Sequence, residues 1–409
     1  MPDLFDRFCV IDADSHVSEP ADLWTSRVGV IDADSHVSEP ADLWTSRVAS
    51  KWKDKVPYIE RDKRSGKDVW WIGGQPTLPV GMTAIAGFDG VLPECPDTMD
   101  DCPPAARIAK ERLSHLDAQG IHGQVLYPNV GGFGSGAFLR LEDPELMLAC
   151  VRAYNDFIVE WASEDANRLV PIMAVPFWDV EASVDEVERC ASLGHRGVLF
   201  CAQPQDFGQP NLASRHWDPV YAATQEAGLP ISFHIGSGSW DLAGAKEIGQ
   251  RAQFARLAAN AFIDNEKCLA DIIFGGVCHR FPELDFVSVE SGIGWLLFAI
   301  EAFDWQWDNG GVFKEHPEYD LRPSEYFRRQ IYGCFWFEES GLAKALELYP
   351  DNILYETDYP HPTSMSPGPQ STAQPPREYA SRVLAGTPDD VLEKVLHATA
   401  ARLYGLTDS

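Results

Sequence analysis

The stretch VIDADSHVSEPADLWTSRV occupies residues 10–28 and recurs unchanged at residues 30–48, with Gly29 alone between the two copies. Its opening valine and isoleucine favour a β-strand, and that strand ends in Asp-x-His. Residues two apart in an extended chain point to the same side, so both side chains of the motif could bind one metal ion. The repeat therefore predicts a first strand that carries metal ligands, in one copy or the other.

The sequence after each copy favours the second one. The second copy continues into new sequence, whereas the first runs into Gly29 and the repeat itself. If the second copy forms the first strand, the first copy is only an N-terminal extension. Terminal extensions are tolerated more easily than interior insertions. We therefore predict a site at Asp34 and His36, with Asp14 and His16 as the alternative pair.

The rest of the chain alternates between apolar strand-like runs and helix-like segments. Counting the strand in either repeat copy, about eight strands alternate with helices, and several strands are apolar on both faces, as buried parallel strands must be. The pattern predicts a (β/α)8 TIM barrel, with a doubly wound sheet as the alternative. We expect residues 1–29 to be an extension, residues 30–409 to form the barrel, and residues 49–104 to be a flap inserted after the first strand.

Charge and cysteine content restrict the partners. The 409-residue chain has a net charge of −29, which argues against nucleic acid or an anionic membrane surface as a partner and mildly disfavours highly anionic substrates. No apolar run is long enough to span a membrane. The nine cysteines are scattered without a CxxC pair, as in a reduced cytoplasmic protein. We expect a cytoplasmic enzyme that acts on a small-molecule substrate. We also expect this enzyme to form a homo-oligomer, namely a dimer.

Acids and imidazoles follow the ends of the later strands, where TIM-barrel enzymes place their catalytic groups. His234 lies in ISFHIG, Glu290 ends DFVSVE, and Asp358 ends ILYETD with His361 three residues beyond. Taken singly, His234 could be a hydrogen-bonded barrel histidine, Asp358 or Glu290 a helix cap, and His361 a turn residue. Their common position at strand ends instead predicts one shared site.

Together with the first-strand pair, these residues form a plausible metal shell. Asp34, His36, His234 and Asp358 offer two imidazoles and two carboxylates, a set that suits one divalent ion and leaves a position open for water or substrate. We expect zinc, with manganese or iron as alternatives.

The motifs IDADSHVSEPADLW, FHIG, FPELDFVSVESGIGWL and YETDYPHPTS resemble, in this order, the amidohydrolase superfamily. The closest branch is the amidohydrolase-2 group, which includes aminocarboxymuconate-semialdehyde decarboxylase and related aromatic-acid decarboxylases. The resemblance implies metal ligation by Asp34, His36, His234 and Asp358. Two departures stand out: the first-strand motif is Asp-x-His where many members have His-x-His, and Glu290 stands where relatives carry a catalytic histidine.

Three functions remain open at this point. Our leading hypothesis is a metal-dependent hydrolase, in which Asp358 takes a proton from the metal-activated water and Glu290 or His361 protonates the leaving group. The alternative is a metal-dependent, non-oxidative decarboxylase (carboxy-lyase) of an aromatic or enoic acid. The acidic rim, with no arginine in its motifs, favours hydrolysis. A non-catalytic ligand-binding barrel is the third hypothesis.

The substrate of either enzyme is expected to be aromatic or cyclic. Trp240 follows the fifth strand, Trp295 follows Glu290, and Trp336 lies just past the seventh strand. Aromatic rings at such positions can line a pocket, although tryptophans also fill protein cores. We predict that these three side chains contact the substrate.

Overall fold

The computed structural model describes residues 29–90, 93–238, 245–366 and 368–406. Within these residues the strands are β1 (Val30–His36), β2 (Tyr58–Arg61), β3 (Asp68–Ile72), β4 (Gln75–Pro79), β5 (Ile121–Tyr127), β6 (Leu169–Pro171), β7 (Met173–Ala174), β8 (Val198–Leu199), β9 (Ile231–His234), β10 (Phe286–Val289), β11 (Ile331–Phe335) and β12 (Ile353–Tyr355). The first strand is therefore formed by the second copy of the repeat; Asp14, His16 and the rest of the first copy lie outside the described residues.

The parallel strands follow one another around a barrel. They pair in the orders β6-β5-β1 and β7-β8-β9-β10-β11-β12. Ile172 alone separates β6 from β7. Ser35 in β1 forms a parallel bridge with Tyr359, just beyond β12, so the last strand returns to the first. The predicted (β/α)8 architecture is confirmed, and the alternative of a doubly wound sheet does not apply.

Helices connect the strands. They span Leu43–Arg47, Ala109–Gln119, Pro144–Ala162, Val180–Leu193, Asp218–Glu226, Ala245–Ile248, Gln250–Ala261, Asn265–Phe274, Val277–Arg280, Gly294–Gly310, Val312–Glu315, Pro323–Gln330, Leu342–Leu348, Pro376–Val383, Asp389–Glu393 and Thr399–Leu403. Lys394–Ala398 is a π-helical turn that joins the last two. Short 3₁₀ helices lie at Ser50–Trp52, Val80–Thr83, Met99–Asp101, Pro104–Ala106, Gly136–Leu141, Pro204–Phe207 and Arg215–Trp217.

The segment between β1 and β5 contains a separate antiparallel sheet, with strand order β2-β3-β4. Gly73 and Gly74 form the tight turn between β3 and β4, and both have positive φ, which glycine adopts without steric cost. Farther along, the Ile85 amide donates to the Pro360 carbonyl at 3.0 Å. This hydrogen bond joins the segment between β1 and β5 to the turn after β12, beside the predicted site.

Burial is consistent with the predicted strand pattern. All residues of β1, β9, β10 and β11 are buried. The eight cysteines in the described part of the chain are free thiols and buried, as expected for reduced core residues. In that same part, no helix has the length and apolar character required to cross a membrane.

Candidate metal centre and active site

The end of β1 and the end of β12 are held side by side by backbone hydrogen bonds. The His36 amide donates to the Tyr359 carbonyl at 2.7 Å, and the Asp358 amide donates to the Asp34 carbonyl at 3.0 Å. Asp32 strengthens this junction, because its buried carboxylate accepts from the Thr357 amide at 2.7 Å. Residues from opposite ends of the sequence are thereby brought to one place.

Gly29 explains why the second copy suits β1 better than the first. A Cβ atom at this position would lie 2.1 Å from the Cβ of His122, so only glycine fits without rearrangement. If the first copy filled the strand in the same register, Cys9 would occupy this position, and its side chain would clash with His122. The steric argument thus supports the choice of Asp34 and His36 made from the sequence.

Two buried imidazoles face each other with their Nε2 atoms. His36 donates its Nδ1–H to the Pro128 carbonyl at 3.0 Å, and His234 donates its Nδ1–H to the Ile235 carbonyl at 2.9 Å. These bonds fix both tautomers and direct both Nε2 atoms inward, 3.2 Å apart. Metal-binding histidines commonly have this arrangement, in which the distal nitrogen is held by a backbone carbonyl.

The Asp34 carboxylate shares this space. It is fully buried, and neither of its oxygens accepts a side-chain or backbone hydrogen bond within the described part of the chain. Its oxygens lie 3.5 Å from His36 Nε2 and 3.6 Å from His234 Nε2. A buried carboxylate without hydrogen bonds is costly unless a cation balances it, so these contacts indicate a cation site.

Three further carboxyl groups crowd the same volume. Glu290 lies with one oxygen 3.6 Å from His234 Nε2, and Asp358 lies 3.5 Å from His36 Nε2. Burial raises the pKa of Glu290 well above its usual range, and the Asp358 carboxylate raises it further. The pKa of Glu356, whose carboxylate accepts the Glu290 amide at 3.1 Å, is likewise raised by burial and by Asp34. Added positive charge would relieve this repulsion.

The pKa values of the two imidazoles shift in opposite directions. Burial lowers the pKa of His36 well below its usual value, so this ring is neutral and can act as a ligand. Burial also lowers the pKa of His234, but the Asp34 and Glu290 carboxylates outweigh it and raise the value to about 9. A bound cation would take over the charge balance that this proton provides.

Glu290 and Asp358 share one hydroxyl group. Thr363 Oγ1 lies 2.8 Å from a Glu290 oxygen and also within hydrogen-bond distance of an Asp358 oxygen. Because a hydroxyl has a single proton, it satisfies both carboxyl groups only when one of them is protonated. Both acids have positive φ, 53° and 56°, a conformation that is uncommon for non-glycine residues and is found more often at functional sites. Glu290, Thr363 and Asp358 can therefore hold one shared proton.

His361 is positioned from the other side by Asn129. The Asn129 amide nitrogen donates to the Val37 carbonyl at 2.9 Å, which turns its oxygen toward His361 and places it 2.6 Å from Nε2. Nε2 therefore carries the proton, and Nδ1 faces Asp358, 2.9 Å from its Oδ1. The ring also stacks on His36 with centroids 3.6 Å apart.

The described residues contain two overlapping groups of possible metal donors. One comprises Asp34, His36, His234 and Glu290, and the other comprises His36, Glu290, Asp358 and His361; in each, the donor atoms lie within 4.8 Å of one another. The first group holds three of the four predicted ligands, and the fourth, Asp358, belongs to the second group with His36; Glu290, predicted as an acid, belongs to both. Inward imidazoles and unpartnered buried carboxylate oxygens fit one divalent metal ion.

Of the three tryptophans predicted to contact the substrate, two lie within the described residues. Trp240 lies outside the described residues. Trp336 is fully buried, and its ring nitrogen donates to the Thr363 carbonyl at 3.1 Å, so it packs in the core and supports the loop that carries Thr363. Trp295 is partly buried and donates to the Ser291 carbonyl at 2.8 Å. The structure thus shows anchoring contacts for two of these tryptophans.

Sequence analysis missed several residues that hold the centre together. Arg112 is fully buried and donates to the His36 carbonyl at 2.6 Å, to the Ala105 carbonyl at 2.7 Å and to Gln124. Asn129 lies in a loop outside the quoted motifs, whereas Thr363 lies within YETDYPHPTS but was given no role there. Glu356 stands in the same motif, two residues before the predicted site residue Asp358, so the motif was an available signal for both residues.

A (β/α)8 barrel with clustered imidazoles and carboxylates at its strand ends defines the class of metal-dependent barrel enzymes. The family model described as amidohydrolase matches residues 137–406, well over half of the chain. The chain belongs to the amidohydrolase family and is an enzyme of that superfamily; the resemblance noted in the sequence is confirmed.

Two curated relatives are decarboxylases. The chain is 25% identical over 260 residues to 2-amino-3-carboxymuconate-6-semialdehyde decarboxylase of Dictyostelium discoideum, with 61% of this chain and 66% of the relative aligned. The alignment thus spans slightly less than two thirds of that relative. The chain is also 23% identical over 265 residues to gamma-resorcylate decarboxylase of a Rhizobium species, with 62% of this chain and 77% of the relative aligned.

Solved structures share the fold over nearly the whole chain. An amidohydrolase from Mycobacterium avium subsp. paratuberculosis superposes with a TM-score of 0.73 and 24% identity, covering 92% of this chain and 99% of that one. 5-Carboxyvanillate decarboxylase from Sphingomonas paucimobilis gives 0.63 and 20%, covering 93% and 100%. A dihydroxybenzoic acid decarboxylase from a Polaromonas species, solved with manganese and the inhibitor 2-nitroresorcinol, gives 0.57 and 17%, covering 93% and 97%.

Proposed function

We propose that this chain is a metal-dependent, non-oxidative decarboxylase of a small aromatic carboxylic acid. The observation that carries the proposal is the fully buried Asp34 carboxylate, without hydrogen bonds, beside two inward-facing imidazoles. This arrangement calls for a cation. The decarboxylase activities of both curated relatives favour carboxylate loss over hydrolysis.

Asp34, His36 and His234 would hold the ion, and Glu290 and Asp358 offer further carboxylate oxygens. When bound, the divalent ion supplies the positive charge that attracts the substrate carboxylate and stabilises the electron pair left when carbon dioxide departs. Oxygen donors form the larger part of this set, and oxygen-rich sets suit manganese better than sulfur- or nitrogen-rich ones do. We therefore favour manganese over the zinc expected from the sequence.

The protein's own acids would supply the proton that the reaction needs. Decarboxylation breaks the bond between the ring carbon and the carboxylate carbon, releases carbon dioxide, and leaves an electron pair on the ring carbon that must take up one proton. Asp358 would deliver that proton, because it shares a hydroxyl with Glu290 through Thr363 and faces His361 on its other side. A positioned acid of this kind contributes about 10²- to 10⁴-fold to the rate.

Hydrolysis was the leading hypothesis from the sequence, and it remains the competing proposal. It uses the same centre, with Asp358 acting as a base toward water. The described residues offer no feature that favours hydrolysis over decarboxylation, and the activities of the two curated relatives support the decarboxylase.

A substrate panel tests the proposal. The purified chain, loaded with manganese or zinc, is incubated with ortho-hydroxybenzoates and, separately, with aryl esters and lactams. We expect release of carbon dioxide from at least one hydroxybenzoate, and loss of that activity together with the metal in Asp34→Asn. The exposed Asp42→Asn serves as a control with full activity. Turnover of esters or lactams without carbon dioxide release from any acid would favour the hydrolase.

A further inference from the structure

The loop after β5 holds an aromatic ring against the candidate centre. Phe133 lies in GGFGSG, residues 131–136. Its ring centroid is 4.1 Å from that of His234, with the planes 29° apart, and 5.2 Å and 5.8 Å from those of His36 and His361. One phenyl ring therefore contacts all three imidazoles of the centre. No sequence motif assigned it a role.

The backbone of this loop is fixed in a conformation that only small residues adopt easily. Gly132 has a φ of +79° and accepts from the Gly134 amide at 2.9 Å. Gly134 has a φ of +157°, and a Cβ atom there would lie 2.8 Å from the Cα of Cys201. Ser135, with a φ of +63°, donates its amide to the same Gly132 carbonyl at 3.2 Å. The loop thus presents Phe133 in one defined position.

Exposure distinguishes Phe133 from an ordinary core residue. Phe138, five residues later, is 1% exposed, and the imidazoles of His36 and His234 are completely buried. Phe133 is only partly buried even though its ring packs against these imidazoles. This residue is therefore at the edge of the centre, where an approaching group could reach it.

We propose that Phe133 is a specificity-determining residue that forms an aromatic wall of the substrate site and selects planar, conjugated carboxylic acids over aliphatic ones. The inference rests on the proposed function and names a residue for its substrate class. Aromatic rings gain from offset or edge-to-face contact beyond the area they bury, whereas an aliphatic acid gains burial only. The rigid loop contributes by holding the ring in place before the ligand arrives.

Ligand binding tests this role without relying on turnover. The manganese-loaded chain is titrated calorimetrically with two probes: 2-nitroresorcinol, which is aromatic, and malonate, which is aliphatic. In Phe133→Leu, which keeps apolar volume but loses the ring, we expect affinity for 2-nitroresorcinol to fall about three- to tenfold. Malonate affinity and metal content should change less than about twofold. Phe133→Tyr, which keeps the ring, should retain the preference.

Phe274→Leu is the matched control. Phe274 is also partly buried, and it packs against Phe303 with ring centroids 5.6 Å apart. The inference is overturned if Phe133→Leu weakens both probes equally, if Phe274→Leu has the same effect, or if the wild-type chain does not prefer the aromatic probe. A different outcome would refute only the decarboxylase proposal: no acid releases carbon dioxide, yet Phe133→Leu still loses affinity for 2-nitroresorcinol alone.

Discussion

Because the repeat supplies two identical sequence environments, it allows an unusually well-matched test of the candidate metal centre. We predict that His36→Ala removes most of the bound metal, whereas His16→Ala leaves it unchanged. His36 lies at the middle of the cluster, with Nε2 3.5 Å from oxygens of Asp34 and Asp358 and 3.2 Å from His234 Nε2. Both variants alter the same heptapeptide, so any difference between them reports position in the fold.

The magnitude follows from the number of donors. Structural zinc sites with four ligands have binding free energies of about 10–16 kcal/mol. If each of the four donors in a group that includes His36 contributes equally, the share of one donor is about 2.5–4 kcal/mol. Loss of one imidazole should therefore weaken metal binding by about two to three orders of magnitude. Metal present at a hundred times its dissociation constant stabilises the folded state by about 2.7 kcal/mol, and that increment should disappear as well.

The assay combines metal content with thermal stability. Each variant is dialysed against limiting manganese or zinc, its metal content is measured by mass spectrometry, and its unfolding temperature is recorded with added metal and with chelator. We expect added metal to raise the unfolding temperature of the wild-type chain and of His16→Ala, and chelator to reverse that rise. The unfolding temperature of His36→Ala should not respond to metal. Metal loss in His16→Ala with retention in His36→Ala would refute the assignment of β1 to the second copy.

Three further outcomes are expected. Deletion of residues 2–28 should leave metal content and the unfolding temperature unchanged within about 2 °C, because β1 begins after Gly29; a collapse of metal content would show that the first copy is needed. Arg112→Met should lower the free energy of unfolding by about 2–4 kcal/mol in urea titrations, since it strands the buried His36 and Ala105 carbonyls, whereas the surface Arg47→Met should cost less than about 1 kcal/mol. Asn129→Ala should reduce kcat about tenfold or more at unchanged metal content, because His361 loses its acceptor; an altered KM alone would contradict this role.

The barrel and the first members of its centre could be predicted because their signals are local. Apolar strands that end in Asp34, His234 or Asp358 reveal both the element and its functional end, since parallel strands of a barrel place their carboxyl ends on one rim. The first and last residues of individual strands and helices could be predicted less accurately. The sequence alone predicts a short strand at Arg329–Cys334, whereas in the structure this strand begins at Ile331. Gln330 completes the preceding helix, and its side-chain amide donates to the Phe281 and Leu284 carbonyls.

The supporting residues could not be predicted because their partners are remote in the sequence. Asn129 and His361 are separated by 232 positions, and Thr363 contacts Glu290 across 73. No local periodicity encodes such contacts, which arise only when the barrel closes. Phe133 was missed for a related reason: a search for tryptophans after strands passes over a phenylalanine that a glycine-rich loop directs at the centre.

The charge argument that favoured hydrolysis loses its force once the acids are seen in place. It counted each acid at the rim as a full negative charge that would repel an anionic substrate. In the structure, however, Glu290 and Asp358 both face the hydroxyl of Thr363, whose one proton satisfies both carboxyl groups only if one of them is itself protonated and neutral. With that carboxyl proton in place and a divalent ion balancing Asp34, the centre would carry far less negative charge than its composition suggests. Under the proposed function, an anionic aromatic acid would meet a divalent cation and a protonated carboxyl group, the two things that decarboxylation requires.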